Sequence, residues 1–195
     1  EPKATVILLA GGHGGLQIFQ NGSFKWGEGN FLVRSRQLFA DKGLMAVVVD
    51  APSDRQRAPF LNGFRQTEEH AADLKATIAW ARATAKVPVW LVGTSRGTQS
   101  AAYAATVLQG ADAPDGVVLT ATILADDKQR PVPAMPLEQI KVPVLVVHHQ
   151  QDGCSYCAYS EIPNLMAKLT HTPRSHLITA TGGKNQGDAC AAFAH

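Results

Sequence analysis

The chain has 195 residues, 45% of them hydrophobic, which is enough for one domain with a sizeable core but not for two. Its formal net charge is +2 and its basic residues are scattered, which excludes the concentrated basic surface of a nucleic-acid or membrane binder. The longest apolar runs, such as 6–10 and 142–147, are too short to cross a bilayer. Composition therefore favours a small-molecule partner, with no nucleic acid and no membrane insertion.

Short apolar runs alternate with longer amphipathic segments along the whole chain. Asn30 and Thr67 are candidate N-caps of two helices, a third helix follows Ser95 and ends at Gly110, and Ser160 begins a fourth. The apolar runs are continuous rather than alternating, which is typical of parallel strands buried on both faces. The sequence therefore predicts an α/β fold with a doubly wound, mostly parallel sheet flanked by helices. The predicted strands are 5–9, 45–50, 87–92, 116–121, 142–148 and 176–180.

The stretch Gly93-Thr94-Ser95-Arg96-Gly97 joins a predicted strand directly to a predicted helix. Glycine and serine punctuate strand ends in any α/β protein, so a plain tight turn is one interpretation. The other is the G-x-S-x-G nucleophile elbow, which occurs in this strand-turn-helix context and needs its glycines because the serine backbone is strained and closely packed.

With these residues in place, the sequence resembles the α/β-hydrolase family over nearly its whole length. The resemblance implies a catalytic serine, acid and histidine in that chain order, and it makes Ser95 the nucleophile. The acid is expected after a later strand, where Asp152 follows the run 142–148. A solvated turn aspartate before Gly153 is the alternative for Asp152, and Asp126 or Asp127 is the rival acid.

The resemblance implies that the histidine follows the last strand, and His195 fits that position. His176 begins a strand instead, and His70 and His171 are interpreted as helix-surface residues. His148 and His149 leave the sheet beside Asp152 and are interpreted as a loop pair bonded to the backbone. The spacing of histidines, carboxylates and thiols predicts no metal site, and no cofactor is expected.

An oxyanion hole is implied by the same resemblance. One donor is expected to be the backbone N–H of Arg96, and the other comes from the loop Ala10-Gly11-Gly12-His13-Gly14-Gly15, through Gly12 or His13. A dinucleotide-binding turn is the competing interpretation of this loop. It fails because G-x-G-x-x-G requires a glycine where Gln17 stands.

A single domain over 1–195 is expected, without a cap or lid, because about twenty residues rich in proline separate two strands at 122–141. Selectivity then falls to loops 17–30 and 51–64. Phe19 and Trp26 are candidate substrate-binding residues, and packing onto the core is their alternative role. The family continues past its histidine into a helix, so the resemblance also implies truncation at the C-terminus.

Three cysteines remain, at 154, 157 and 190. If the acid and histidine loops meet, as the resemblance implies, Cys154 and Cys190 are brought together and form a disulfide. That pairing favours a periplasmic or secreted protein. A redox pair in Cys154-x-x-Cys157, or three reduced thiols in a cytoplasmic protein, are the alternatives.

The sequence as a whole predicts a carboxylesterase-like serine hydrolase that cleaves an ester of a small or medium-sized soluble substrate through an acyl-enzyme intermediate. A thioesterase, a peptidase or an acyltransferase would use the same three residues. A catalytically inactive binding module with this fold is the alternative of a different class. Oligomeric state is not predicted.

Overall fold

The computed structural model describes residues 1–184 and 187–194. Among them, no helix combines the length and apolar character needed to cross a membrane. The elements in chain order are β1 (Thr5–Leu9), α1 (Phe31–Arg34), α2 (Arg36–Asp41), β2 (Met45–Val49), α3 (Glu68–Ala85), β3 (Val89–Thr94), α4 (Arg96–Val107), β4 (Gly116–Thr120), β5 (Val144–His149), α5 (Ile162–Ala167) and β6 (Ser175–Ala180).

The six strands form one sheet in the order β2-β1-β3-β4-β5-β6, and every neighbouring pair is parallel. The predicted parallel α/β sheet is confirmed. Leu9, the last residue of β1, pairs with Val49 on one side and Gly93 on the other. The carboxyl ends of these strands therefore lie at one edge of the sheet, where an open α/β sheet binds its ligands.

Side chains of β1 alternate between two cores, which shows that helices cover both faces. Val6 and Leu8 pack with Leu32 of α1. Ile7 and Leu9 pack on the other face in a larger cluster that includes residues of α3, α4 and α5. All five residues of β1 are buried, whereas β6, at the sheet edge, is mostly exposed.

Two strands begin later than predicted, and proline is the reason. β3 begins at Val89 and β5 at Val144, in each case directly after a proline. Proline has no N–H to donate to the ladder. The carbonyls of Pro88 and Pro143 still accept hydrogen bonds from Thr5 and Val117, so each proline closes the end of the sheet.

The helix capped by Asn30 divides into α1 and α2 at Ser35. Ser35 Oγ donates to the Phe31 carbonyl at 2.5 Å, and its backbone N–H bonds to Phe31 and Val33 carbonyls. A serine that bonds the preceding turn competes with the helical hydrogen-bond pattern. The N-caps themselves form as predicted, since Asn30 accepts from the N–H of Leu32 and Thr67 accepts from that of His70.

The interpretation of His70 as a helix-surface residue is wrong, because the structure buries it at 3% exposure. It lies on the face of α3 that packs on the sheet, and its Nε2 is 2.9 Å from Ser100 Oγ. Ser100 Oγ also accepts from the fully buried guanidinium of Arg65. Burial, with a smaller contribution from Arg65, lowers the pKa of His70 from 6.5 to about 3. His70 is therefore neutral in the folded protein.

We predict that His70 makes the fold acid-sensitive. Between about pH 3 and 6.5 the unfolded chain binds a proton at this residue that the folded chain does not. Above pH 6.5 this group therefore does not change the free energy of unfolding. Below pH 6.5 the free energy of unfolding decreases as the pH is lowered, and His70 contributes up to about 1.4 kcal/mol per pH unit to this decrease. Urea unfolding measured at several pH values from 7.5 to 5 gives the free energy of unfolding as a function of pH. This free energy should change less steeply with pH in His70→Gln than in the natural protein.

His171→Gln is the matched control, because His171 is exposed. Its free energy of unfolding should change with pH as steeply as that of the natural protein. An equal slope in the His70 variant and the natural protein would contradict this account of the buried imidazole.

Candidate active site

Ser95 lies at the turn from β3 into α4 in a backbone conformation that L-residues rarely adopt. Its φ and ψ are 51° and −126°. The Ser95 N–H donates to the Thr120 carbonyl at 3.1 Å, and both the N–H and the hydroxyl of Thr98 donate to the Ser95 carbonyl. These bonds hold the strained turn, and such strain persists only where the surroundings enforce it.

The two glycines of the motif are required by close backbone contacts. A Cβ on Gly97 would lie 2.0 Å from the Leu9 carbonyl oxygen, and one on Gly93 would lie 2.5 Å from the Gly97 carbonyl oxygen. Any side chain at these positions would force β3, α4 and the end of β1 apart. The motif therefore has the strand-turn-helix context that its sequence indicates.

The glycine-rich loop after β1 lies directly against Ser95. A Cβ on Gly11 would be 3.0 Å from Ser95 Cβ, and Gly12 has a φ of +59°. Among the residues that the structure describes, no acceptor is found for the backbone N–H groups of Gly12, His13 and Arg96. These are the three groups named as oxyanion donors from the sequence, and all three are available for that role.

The His13 side chain fixes the outer part of this loop. Its ring lies between Trp26, at 3.8 Å between centroids, and Phe60, at 4.4 Å. Its Nδ1 accepts from the Gly15 N–H at 3.0 Å. Burial and the nearby Arg65 guanidinium lower the pKa of His13.

Arg65 holds the inner part of the loop and is not singled out by any sequence pattern. One guanidinium nitrogen donates to the carbonyls of Ala10 and Gly12, at 3.0 and 2.9 Å. Burial, with a smaller effect of Arg96, lowers the pKa of Arg65 to about 9, so it stays charged at neutral pH. A lone arginine in a predicted loop carries no signal that its side chain turns inward.

A cavity of about 370 Å³ opens beside Ser95. Trp26 lies in its wall, whereas Phe19 is 53% exposed and is not among the lining residues. No charged side chain lines it among the residues that the structure describes. Four chain segments form its walls, and the lining residues are Gly11, Gly12, Trp26, Gly27, Gly29, Asn30, Ser95, Cys190, Ala191 and Ala192.

Asp152 follows β5, as predicted, and its carboxylate is fully buried. Oδ1 accepts from the Cys154 N–H at 2.9 Å, and Oδ2 is 3.9 Å from His148 Nε2. His148 accepts from the Thr122 N–H through Nδ1, so its proton is on Nε2, which donates to the Cys157 carbonyl at 2.7 Å. His149 bonds to the Gly182 carbonyl. The interpretation of these two histidines as a loop pair is wrong, because they are the last two residues of β5, but both bond to the backbone as expected.

Asp126, the rival acid, is engaged elsewhere. Its Oδ2 bonds to the Arg96 guanidinium and to Gln99 Nε2, and its Oδ1 accepts from the Lys128 N–H. Burial opposes its ionisation, but the bonds from Lys128 and Arg96 outweigh burial and lower the pKa of Asp126. Asp127 is exposed. Asp126 thus orients the side chain of Arg96.

A disulfide joins Cys154 to Cys190, as predicted. It attaches the loop that carries Asp152 to segment 187–194, whose residues Cys190, Ala191 and Ala192 lie in the cavity wall with Ser95. His195, the predicted catalytic histidine, lies outside the described residues. The disulfide excludes a Cys154 and Cys157 redox pair, because Cys157 is a free, buried thiol whose pKa is raised by burial and by Asp152.

The residues that the structure describes hold no group of three or more His, Cys, Asp or Glu side chains arranged to bind a metal ion. The polar groups beside Ser95 are instead backbone N–H groups of the glycine-rich loop and of Arg96, and the carboxamide of Asn30. Hydrogen-bond donors of this kind can stabilise negative charge.

Models of known protein families and curated proteins give no match to this chain. Solved structures do match it. A cold-adapted esterase from an Arctic intertidal metagenomic library is 17% identical with a TM-score of 0.63, over 93% of this chain and 74% of that one. An acetyl ester-xyloside bifunctional hydrolase from Caldicellulosiruptor lactoaceticus is 12% identical with a TM-score of 0.62, over 94% and 74% of the two chains.

A metagenome-derived lipolytic enzyme is also similar, at 14% identity and a TM-score of 0.59, over 92% of this chain and 84% of that one. At these identities the likeness concerns the fold. The chain has the α/β-hydrolase fold, which confirms the fold expected from its sequence.

The disulfide gives a direct chemical prediction. Alkylation in denaturant without reductant should add one label, on Cys157, and three after reduction.

Replacing both Cys154 and Cys190 with alanine should lower the free energy of unfolding by about 3 to 4 kcal/mol, because the bridge closes a sequence separation of 36 residues. Three labels without reductant would contradict the bridge.

Proposed function

We propose that this protein is a serine hydrolase that cleaves an ester of a small or medium-sized soluble substrate. The observation that carries the proposal is the strained backbone of Ser95, held at the carboxyl edge of the sheet where Gly97 packs on the end of β1. Strain of this kind clusters at functional sites. The esterase and lipolytic activities of the matching structures agree with it.

In the proposed reaction, Ser95 Oγ attacks the ester carbonyl and His195 accepts the hydroxyl proton. The carbonyl electron pair moves to oxygen and forms a tetrahedral intermediate. When the C–O bond to the alcohol breaks, His195 returns the proton to the leaving alcohol, and water then releases the acid from the acyl-enzyme in the same two steps. Asp152 orients the imidazole and stabilises the imidazolium.

Two features support the roles of Asp152 and His195. The buried Asp152 carboxylate belongs to the loop that the disulfide attaches to segment 187–194, and that segment borders the cavity beside Ser95. The rival Asp126 already pairs with Arg96 and Gln99. An acid on the β5 loop and a histidine at the end of the attached segment would thus approach Ser95 from one side.

The oxyanion would be stabilised by the Arg96 N–H from one side and the Gly12 or His13 N–H from the other. Donors that are fixed before the reaction stabilise charge without reorganisation in the transition state. Arg65 supports this role because its bonds to the Ala10 and Gly12 carbonyls fix the loop that presents these donors.

The cavity supports an uncharged ester of modest size. Its volume of about 370 Å³ is near the lower end for small-molecule sites, and Trp26 gives it an apolar wall. The connection between β4 and β5 contains two short 3₁₀ turns, at Val132–Ala134 and Leu137–Gln139, where a cap domain would be inserted. Loops therefore set the selectivity in this proposal.

We also propose that the protein works in an oxidising compartment, periplasmic or extracellular. The disulfide beside the site supports this, because such bonds persist where thiols are not kept reduced.

The proposal predicts that a fluorophosphonate probe labels Ser95. An activated serine attacks phosphorus, the fluoride leaves, and a stable adduct remains on Oγ. Peptide mapping should find the label on Ser95 alone, and Ser95→Ala should abolish it. Folded natural protein that takes up no label would favour the inactive binding module instead.

Asp152→Asn should lower kcat by about 10⁴-fold, as loss of the orienting carboxylate does in serine hydrolases. Asp127→Asn is the matched control on an exposed carboxylate and should leave kcat unchanged. Asp126→Asn should have a smaller effect than Asp152→Asn. The reverse order, with Asp126→Asn the more damaging change, would reassign the acid.

A further inference from the structure

The side-chain carboxamide of Asn30 has an oxygen, Oδ1, and a nitrogen, Nδ2, which play different parts in the structure. Its Oδ1 caps α1 by accepting the Leu32 N–H at 3.2 Å. An N–H donor fixes which end of the carboxamide is oxygen, so Nδ2 lies on the other side. Among the residues that the structure describes, no acceptor is found for Nδ2.

The Nδ2 end lies at the wall that faces Ser95. It is 3.4 Å from the position that a Cβ on Gly11 would take, and that position is 3.0 Å from Ser95 Cβ. The separation of Nδ2 from Ser95 Cβ is thus no more than the sum of these distances, and both residues line one cavity. An oxygen bonded to the carbon that Ser95 attacks lies within reach of Nδ2 when it points toward this wall of the cavity.

The carboxamide is held in this position before any ligand arrives. The Asn30 N–H donates to the Gly27 carbonyl at 2.9 Å, and its carbonyl accepts from the Arg34 N–H at 2.9 Å. Leu32 and Val33, in the first turn of α1, are fully buried and anchor the helix in the core. A donor fixed by its own cap bond has little rotational freedom to lose on binding.

We propose that Asn30 is a catalytic residue whose Nδ2–H donates to the oxyanion, in addition to the backbone donors of the two loops. This role rests on the proposed serine hydrolase activity. The carbonyl electron pair moves to oxygen as Ser95 Oγ bonds to carbon, and Asn30 keeps its proton throughout. The hydrogen bond strengthens as charge develops, so it contributes mainly to the transition state.

Capping alone does not require asparagine here. Serine and aspartate cap helices about as well, because capping needs only an oxygen acceptor. Neither offers an N–H to the cavity, and aspartate would present a negative charge to the developing oxyanion. The two substitutions therefore separate the helix-capping role of Asn30 Oδ1 from the proposed catalytic role of Nδ2.

The test compares Asn30→Ser and Asn30→Asp with the natural protein and with Asn21→Ser. Asn21 is an exposed asparagine in the 17–30 loop, with its Oδ1 on the N–H of Ser23, and serves as the matched control. The readouts are the second-order rate of fluorophosphonate labelling, kcat and KM on an ester found by screening, and the midpoint of urea unfolding.

Asn30→Ser should lower the labelling rate and kcat by about 10- to 100-fold with little change in KM. Asn30→Asp should lower them further, and Asn21→Ser should leave them unchanged. The unfolding midpoints of both Asn30 variants should stay near the natural value because the cap is kept.

Natural labelling rates in both Asn30 variants would overturn the role of Asn30 and leave the proposed hydrolase intact. A rise in KM at constant kcat would also overturn it, because it would place the contact in the bound ester rather than in the transition state. No labelling of the natural protein would overturn the hydrolase and, with it, the role of Asn30.

Discussion

The arrangement of the site depends on the close approach between the end of β1 and the first turn of α4. Gly97 packs so tightly on the Leu9 carbonyl that a methyl group would lie 2.0 Å from the oxygen. This contact forces α4 to begin at the carboxyl edge of the sheet, places the strained Ser95 there, and brings Gly11 of the next loop against it. The strained turn at Ser95 and the position of the glycine-rich loop beside it thus both depend on one backbone contact.

Charge around this contact is distributed unevenly. Arg65 is fully buried behind the glycine-rich loop, and within the described part of the chain no carboxylate pairs with it. An unpaired buried cation is costly, which is why the pKa of Arg65 falls to about 9. The positive charge of Arg65 favours the anion that would develop at the proposed oxyanion site. The buried Asp152 carboxylate lies on the loop after β5, where the proposed mechanism needs a negative charge to stabilise the imidazolium.

The sequence predicted the sheet, its strand runs and the helix caps because periodicity and capping residues are local signals. It also predicted the Cys154 to Cys190 bridge, since the resemblance brings two loops together. It could not show that His70 points inward, because a single histidine near a helix start reads equally as surface. Arg65 and the Nδ2 end of Asn30 were missed for a related reason: the groups that surround them lie on other segments, so only the folded chain shows them.

The decisive experiment is a crystal structure of the protein after reaction with a small fluorophosphonate. We expect phosphorus bonded to Ser95 Oγ, with the phosphoryl oxygen at hydrogen-bond distance from the Arg96 N–H and from the Gly12 or His13 N–H. Phosphorus on another side chain, or a phosphoryl oxygen turned away from both loops, would contradict it.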